Sequence, residues 1–534
     1  MDLLMRPAYQ TARSAMALTV LSLLSPVAGM AVEMALAWRY GTSSIADAYR
    51  VGSMLLLMGQ QLLVLQILPH VLVPVFADCR VRRGPAEAWR VAQGIGNVFL
   101  LGAGILGAAE FLWPRPIVWL LAGGLEGPGH AEALEFVRWM GLAYVPLVVT
   151  GVATALLYAR RIFWLPSIAQ LARNLLLAAI VVVVARDTVA PLIFATIVSV
   201  AVSAAMTFGR VFPLARNDDA RATFAIGIGD PDVRRGLILS VPLLGMFLAG
   251  TWSPLLINRL LSELPAGNLA VFGYAFKLGL LISLAPLTLA TVLFPRFADE
   301  RSAGPAAELE SLGTRGLRMG LYLAAPTAAW ALALRRPIVA LVLERGAFGA
   351  LATAHVAHLF GLLSLSTPAM VIATHAQKML YARQQAWLPT GVTLAGCAVL
   401  TVVAPWAAHW GGSGLAGLFT ILSWAGAVAL LAALYGRTAF SGARSWLPFA
   451  FELAALAILA GWVGAAAGTF FAQATGVPSL AFALDVSSGF VASVIIFFLS
   501  SLALRVPEAT ACRHFLCWQS IEFGRWMSDV VRST

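Results

Sequence analysis

Residues 411–435, GGSGLAGLFTILSWAGAVALLAALY, run for twenty-five positions without a charged side chain. A bilayer core about 30 Å thick is crossed by about 20 apolar residues of helix, so this stretch is long enough to span a membrane. Similar stretches occupy most of the chain, at about 15–37, 47–77, 91–122, 135–158, 164–185, 188–209, 236–260, 268–295, 314–334, 353–382, 386–408, 446–470 and 478–504. Together they predict an all-α integral membrane protein of about fourteen transmembrane helices. Composition agrees, with 60% hydrophobic and 11% charged residues in 534 and a mean hydropathy of +0.84. A soluble domain carries roughly 25% charged residues, which excludes a soluble multidomain enzyme.

An even number of spans puts both termini on one face. If that face is cytoplasmic, the inner connections hold Arg80, Arg82, Arg83 and Arg90, then Arg160 and Arg161, then Arg210, Arg216, Arg221, Arg234 and Arg235. Later inner connections hold Arg296, Arg301, Arg315, Arg383, Arg437 and Arg444, and the tail holds Arg505, Arg513, Arg525 and Arg532. The opposite face is poorer in arginine, as the positive-inside rule requires, and its longest loop, around Glu126 to Glu135, is acidic. Only the pair Arg335 and Arg336 breaks the pattern, so either that boundary is displaced or these arginines serve the outer face. The net charge of +11 is therefore topological, and its dispersal between spans argues against nucleic acid as a partner. Arg6 and Arg13 precede the first apolar run, but no small-residue cleavage site follows, which predicts a retained first helix. Cys79, Cys397, Cys512 and Cys517 have neither metal-site nor disulfide spacing.

Charge inside a spanning helix costs about 3 kcal/mol and normally faces a cavity or a partner. By that criterion the candidate substrate-binding residues are Glu33, Arg39, Asp47 and Arg50 in the first two segments, Lys277 in the eighth and Lys378 in the tenth, where His375 one turn away reads instead as a satisfied polar residue between helices. Lys277 and Lys378 are the only lysines in the chain. Helix breakers form a second pattern, with Pro26 and Gly29 in segment one, Pro69 and Pro74 in segment two, Pro242 and Pro254 in segment seven, and Pro286 in segment eight. Interrupted helices are tolerated in a membrane where the freed backbone lines a cavity. Matching interruptions in two halves point to a transporter with its substrate site between them.

Several stretches carry a specific likeness. Ser25-Pro-Val-Ala-Gly-Met-Ala-Val-Glu33, Arg39-Tyr-Gly-Thr-Ser-Ser-Ile-Ala-Asp47-Ala-Tyr49 and Val71-Leu-Val-Pro-Val-Phe-Ala-Asp78 resemble the amino-terminal signature of the MurJ/MviN family. Thr291-Val-Leu-Phe-Pro295-Arg-Phe-Ala, Glu344-Arg-Gly-Ala-Phe348 and Tyr381-Ala-Arg383-Gln384 followed by Pro389 resemble its later motifs, in order, over about residues 10–440. The resemblance implies a flippase of the MOP superfamily that moves undecaprenyl-linked lipid II from the cytoplasmic to the outer leaflet of the bacterial inner membrane. It implies two six-helix lobes around a central cavity, here residues 1–220 and 221–440, plus two further helices in 441–506. Those two helices would form a groove for the lipid tail, although Ala460-Gly-Trp-Val-Gly-Ala-Ala-Ala-Gly468 also suits plain close packing. The family's first-helix arginines correspond here to Pro26 and Val32, with the following acid kept as Glu33; a segment-two arginine corresponds to a place near Gln60. Its segment-eight cavity arginine corresponds to Lys277, the acid before it to Phe276, and its Asp-Ala-aromatic aspartate to Asp47. Lysine meets phosphate as a point charge where arginine forms a two-pronged fork, so these departures leave open a related polyprenyl-linked glycan, as in exopolysaccharide or capsule export.

No cofactor is expected. Coupling to Na+ or H+ would use Asn258, Glu263 and Thr390, and membrane potential acting on a cationic cavity is the alternative. Membrane lipids and proteins of cell-envelope biosynthesis are the expected partners. A drug exporter of the MATE type would favour intramembrane carboxylates over Lys277, a polyprenyl glycosyltransferase or polymerase would need an acidic or metal-binding loop, and a non-transporting relative is a third alternative. The tail 507–534 mixes Trp518, Ile521 and Trp526 with Arg513, Glu522 and Arg525, as an amphipathic helix on the cytoplasmic face would.

Overall fold

A computed structural model describes residues 24–184, 188–219, 224–303, 306–383, 385, 387–435, 438–473, 478–504 and 506–509. All regular structure among them is helical, as it must be where no water is present to satisfy the backbone. Helix α1 is described over 24–40 and precedes α2 (Ser44–Gly59), a π-helical stretch (Gln60–Ile67) and α3 (Leu68–Arg83). Then come α4 (Pro85–Leu112), α5 (Pro114–Ala122), α6 (Gly127–Met140), α7 (Tyr144–Ala159), α8 (Trp164–Val184), α9 (Ala190–Asn217) and α10 (Pro231–Ser262). The remainder comprises α11 (Asn268–Ala303), α12 (Ala306–Ala333), α13 (Arg335–Leu343), α14 (Ala350–Ser364), α15 (Thr367–Ala382), α16 (Trp387–Ala407), α17 (Gly411–Tyr435), α18 (Thr438–Gln473) and α19 (Pro478–Ala503).

Among the described residues ten helices are long and apolar enough to cross a membrane, or twelve if each of two bent pairs is one span. The sequence predicts fourteen, and the difference has two local causes. Segments 386–408 and 411–435 count together as the 49-residue stretch Trp387–Tyr435, although the 3-10 turn Ala408–Trp410 and Gly411, at φ +66°, divide them into α16 and α17. The described part of the first helix is short, because 15–23 lies outside the described residues, as do Cys512, Cys517, Gln384 and the tail beyond 509. The acidic outer loop predicted around Glu126–Glu135 is instead mostly the beginning of α6. Segment 91–122 divides at Trp113, where Pro114 starts α5 and cannot continue α4.

The π-helical stretch has an equally local cause. Pro69 has no N–H and its ring crowds the preceding turn, and the amide of Leu68 reaches back five residues to the Leu63 carbonyl. Helix α7 approaches the widened turn at Gly151, where a β-carbon would lie 2.6 Å from Leu68 Cδ1.

Two compact units emerge. The first comprises the chain up to Tyr274 with Leu343–Ala352 and Leu400–Gly412. Its core gathers Leu68, Leu72, Phe76, Trp89, Ile95 and Leu157, with Phe76 and Trp89 edge to face at 5.2 Å. The arginine-rich connections of this unit are held by acids of their own face. Arg82 bonds Asp78 and Asp232 at 2.9 and 2.8 Å, Arg83 bonds Asp230 at 2.9 Å, and Asp218 accepts from Trp89 and Arg160. Segment 400–412 is tied in by a 2.8 Å bond from Trp252 Nε1 to Thr401.

The second unit comprises Ala275–Val342, Thr353–Val399 and the chain from Ser413 onward. Its centre is the packing of α12 against α15 and α18, with Tyr322, Leu453, Leu456 and Phe497 buried together. Tyr322 donates to Ser501 at 3.1 Å, and Arg318 pairs with Glu508 at 2.6 Å. Helices α18 and α19 pack closely, since a β-carbon on Gly464 would lie 2.6 Å from the Gly489 carbonyl oxygen.

Two outcomes follow for the first unit. A β-carbon on Gly107 would meet the Gly141 carbonyl oxygen at 2.6 Å, and backbone cannot yield as a side chain can. Gly107→Val should therefore lower stability by roughly 1–3 kcal/mol in a detergent thermal-shift measurement, whereas Gly104→Val, with nothing within 4 Å, should not. At the α10 N-terminus burial pushes the Asp230 carboxyl up, but the Asp232 amide and Arg83 outweigh it and hold the carboxyl below its ordinary 3.8. Such a group stabilises the fold above its ordinary value and loses that contribution as pH falls through its folded value. Asp230→Asn should accordingly flatten the acid limb of stability below about pH 4.

Candidate functional site

Helix α1 ends at a turn that only glycine allows. Gly41 has φ +56°, its amide bonds the Ala37 carbonyl at 2.9 Å, and a β-carbon there would lie 2.5 Å from the Ala347 oxygen. The turn places the first two turns of α2 so that Asp47 and Arg50, three residues apart, share a face. Arg50 meets Glu33 of α1 with both prongs of its guanidinium, at 3.1 and 2.5 Å, and lies 4.8 Å from the ring centre of Tyr274. Asp47 is 2% exposed and accepts from the backbone amides of Gly267 and Ala270, at 2.5 and 2.7 Å. It therefore satisfies the first orphan amides of α11, a capping role supplied from another helix.

Two further strands of chain close around the same turn. Ala347 donates to the Trp38 carbonyl at 2.9 Å, with Gly346 at φ +60° beside it. Tyr274 donates to the Gly41 carbonyl at 3.0 Å and meets Phe348 edge to face at 5.6 Å. Stretches 39–49, 263–274 and 344–348 thus form one polar clasp.

The other predicted residues are placed as follows. Arg39 is half-buried, and its Nε has no hydrogen-bond partner among the described residues. Lys277 is half-buried on α11 in the second unit, with no ion pair among the described residues, and Phe276 beside it packs on Phe419 at 5.6 Å. Lys378 is half-buried on α15. His375, one turn earlier, bonds the Gly313 carbonyl at 2.8 Å and so serves as a link between α15 and α12. Of the candidate cation ligands, Asn258 donates to the Leu121 carbonyl at 3.0 Å, Glu263 is exposed at the end of α10, and Thr390 is exposed on α16 in the second unit. No group of three or more His, Cys, Asp or Glu suited to a metal occurs among the described residues.

Three intramembrane charges escape the sequence shortlist. Arg173 on α8 is 7% exposed, and its Nε has no hydrogen-bond partner among the described residues. One turn before it Gln170 accepts from Gln60 at 2.9 Å, at the first residue of the π-helical stretch. Glu110 on α4 is 1% exposed and accepts from the Tyr144 hydroxyl at 2.5 Å. Asp485 on α19 lies against Gly468. Each interrupts an apolar segment just as Lys277 does, so the same criterion finds them when applied to every span.

A family model described as "Lipid II flippase MurJ" matches residues 36–500. The chain belongs to the MurJ family. A "Lipid II flippase MurJ" of Burkholderia cenocepacia is 23% identical over 459 residues, covering 84% of this chain and 88% of that one. A "Probable lipid II flippase MurJ" of Rhizobium meliloti is 26% identical over 436 residues, covering 77% and 78%. Among solved structures, "Lipid II flippase MurJ, inward closed conformation" superposes with a TM-score of 0.75 at 15% identity, over 91% of this chain and 99% of that one. An inward-facing MATE-family multidrug resistance transporter of the MOP superfamily gives 0.61 at 17% identity, over 79% and 96%. These likenesses show the fold. In this MurJ-family chain the clasp is made of two of the family-like stretches, 39–49 and 344–348, joined by the start of α11.

Removing one partner of a buried ion pair strands the other. Glu33→Ala should cost roughly 3–5 kcal/mol, and Glu33→Leu with Arg50→Met much less, in a double-mutant cycle read by thermal unfolding. Asp47→Ala should cost about 1–2 kcal/mol through the lost cap.

Proposed function

We propose that this chain is a transporter rather than an enzyme, and that it moves lipid II from the cytoplasmic to the outer leaflet of the bacterial inner membrane, with both termini cytoplasmic. Family membership over residues 36–500 is the observation that carries this assignment. The charge distribution supports it chemically. Glu33 neutralises Arg50, whereas Arg39, Arg173 and Lys277 have no carboxylate partner among the described residues. Unpaired cations in spanning helices are costly unless they meet an anion or water, and a pyrophosphate headgroup is such an anion.

Alternating exposure of an N-terminal lobe (1–220) and a C-terminal lobe (221–440) is the proposed cycle, with Lys277 the principal headgroup contact. Helices α18 and α19 would carry the isoprenoid tail, which has no need to leave hydrocarbon. The exposed Phe451, Ile458 and Trp462 of α18 offer it an apolar track. Membrane potential acting on the cations is the proposed driving force, worth about 2.3 kcal/mol per charge per 100 mV. It is preferred to ion coupling because Asn258 is engaged with a backbone carbonyl and Glu263 stands exposed at a helix end.

Expression in cells depleted of their own lipid II flippase should restore growth. Lys277→Ala and Arg173→Ala should each reduce rescue severalfold, while Lys277→Arg should retain it. Absence of rescue by the wild-type chain, with normal membrane insertion, would exclude lipid II as the substrate.

A further inference from the structure

Arg335 and Arg336 stand where α12 gives way to α13 through a bend of 76° between Gly313–Ala333 and Arg335–Leu343. With α12 as a span, this bend turns α13 toward the membrane plane, at the end of α12 opposite the arginine-rich connection that precedes it. A recess of about 420 Å³ opens at this bend, lined by Ala333, Arg335, Arg336, Ala354, Ala357 and His358. The last three come from one face of α14, at the i, i+3, i+4 spacing that puts side chains together. Two of those are alanines, and Gly361 continues the stripe, so the wall is low and the cationic side chains have room to stand over it.

The arginines are arranged, not merely exposed. A β-carbon on Gly361 would lie 2.8 Å from Arg335 Cδ, so the aliphatic stem of Arg335 lies against α14. Its Nη1 donates to the Leu332 carbonyl at 2.9 Å. Among the described residues neither arginine has a carboxylate partner. Both sit at the N-terminus of α13, where the helix dipole already favours negative charge. Two guanidinium groups, a helix N-terminus and an imidazole converge on one space without an acid, which is electrostatically unfavourable until an anion enters.

We propose that this recess binds the phosphate of a lipid at the outer leaflet. Guanidinium forks match phosphate oxygens, the surface-lying α13 is at headgroup depth, and apolar lining beside the cations suits a ligand whose phosphate is joined to hydrocarbon. The phosphate has two sources, the diphosphate of the transported polyprenyl lipid after it crosses, or the phosphodiester of an anionic phospholipid. The geometry of the recess stands by itself; its placement at the outer leaflet and the first source rest on the proposed function.

The experiment measures retention of three probes by the purified full-length protein in native mass spectrometry. The probes are a polyprenyl diphosphate, phosphatidylglycerol and phosphate-free diacylglycerol. The Arg335→Ala/Arg336→Ala variant changes exposed side chains only, and an unchanged unfolding temperature checks its fold. It should lose about tenfold or more in phosphate-lipid binding, as expected for the loss of charge-assisted bonds, with diacylglycerol unaffected. Arg335→Lys/Arg336→Lys should fall between, because lysine keeps the charge but not the fork. Loss confined to the diphosphate identifies the transported lipid, and equal loss of both phosphate lipids identifies a phospholipid site. Undiminished binding of both in the alanine variant would overturn the proposal. Growth rescue by the wild-type chain is scored separately, so failure of the lipid II assignment leaves the binding result interpretable.

Discussion

The carboxylate of Asp47 determines where α11 begins. Inside a membrane protein the first amides of a helix have no water to bond, and each one left bare costs on the order of 1–3 kcal/mol. Asp47 takes two of them, at Gly267 and Ala270, across more than two hundred residues of sequence. Helix α11 then carries Tyr274 into the clasp and Lys277 one turn further along. The depth of Lys277 in its helix is thus set by an acid that need not touch substrate.

The same site separates charges that stabilise from charges that remain available. Glu33 and Arg50 neutralise each other, and Glu110 is held by a tyrosine hydroxyl. Acids on the arginine-rich connections of the first unit bind the arginines beside them. Among the described residues, Arg39, Arg173 and Lys277 are left in the spans without a carboxylate partner, and Asp485 on α19 without a cationic one. Three unpaired cations against one unpaired acid leave a net positive charge, which suits an anionic headgroup.

Much of this was legible in the sequence because the bilayer imposes a length and a composition on each span. The segment at 164–185 and the helix described over Trp164–Val184 start at the same residue, since Pro166 suits a first helical turn and an apolar run follows it. Short helices such as α5 and α13 were hidden, because nine-residue elements leave no periodic signal distinct from their neighbours. The pairing of Glu33 with Arg50 could be guessed from complementary charge, but the partners of Asp47 are backbone amides, which every residue except proline possesses and no sequence pattern marks. Arg173 is legible by the same criterion, since a lone arginine in an alanine- and valine-rich run has the same signature as Lys277.

The π-helical stretch at Gln60–Ile67 bears on how the second span is projected. An α-helix advances by roughly 100° per residue, and a wider turn breaks that phase. A helical wheel drawn through Ser44–Arg83 as one regular rod would therefore assign the wrong azimuth to everything beyond Gln60. Residues near Asp47 and residues near Asp78 must be projected on separate wheels, and labelling or cross-linking sites chosen for the half toward Asp78 should be phased from Leu68 rather than from Ser44.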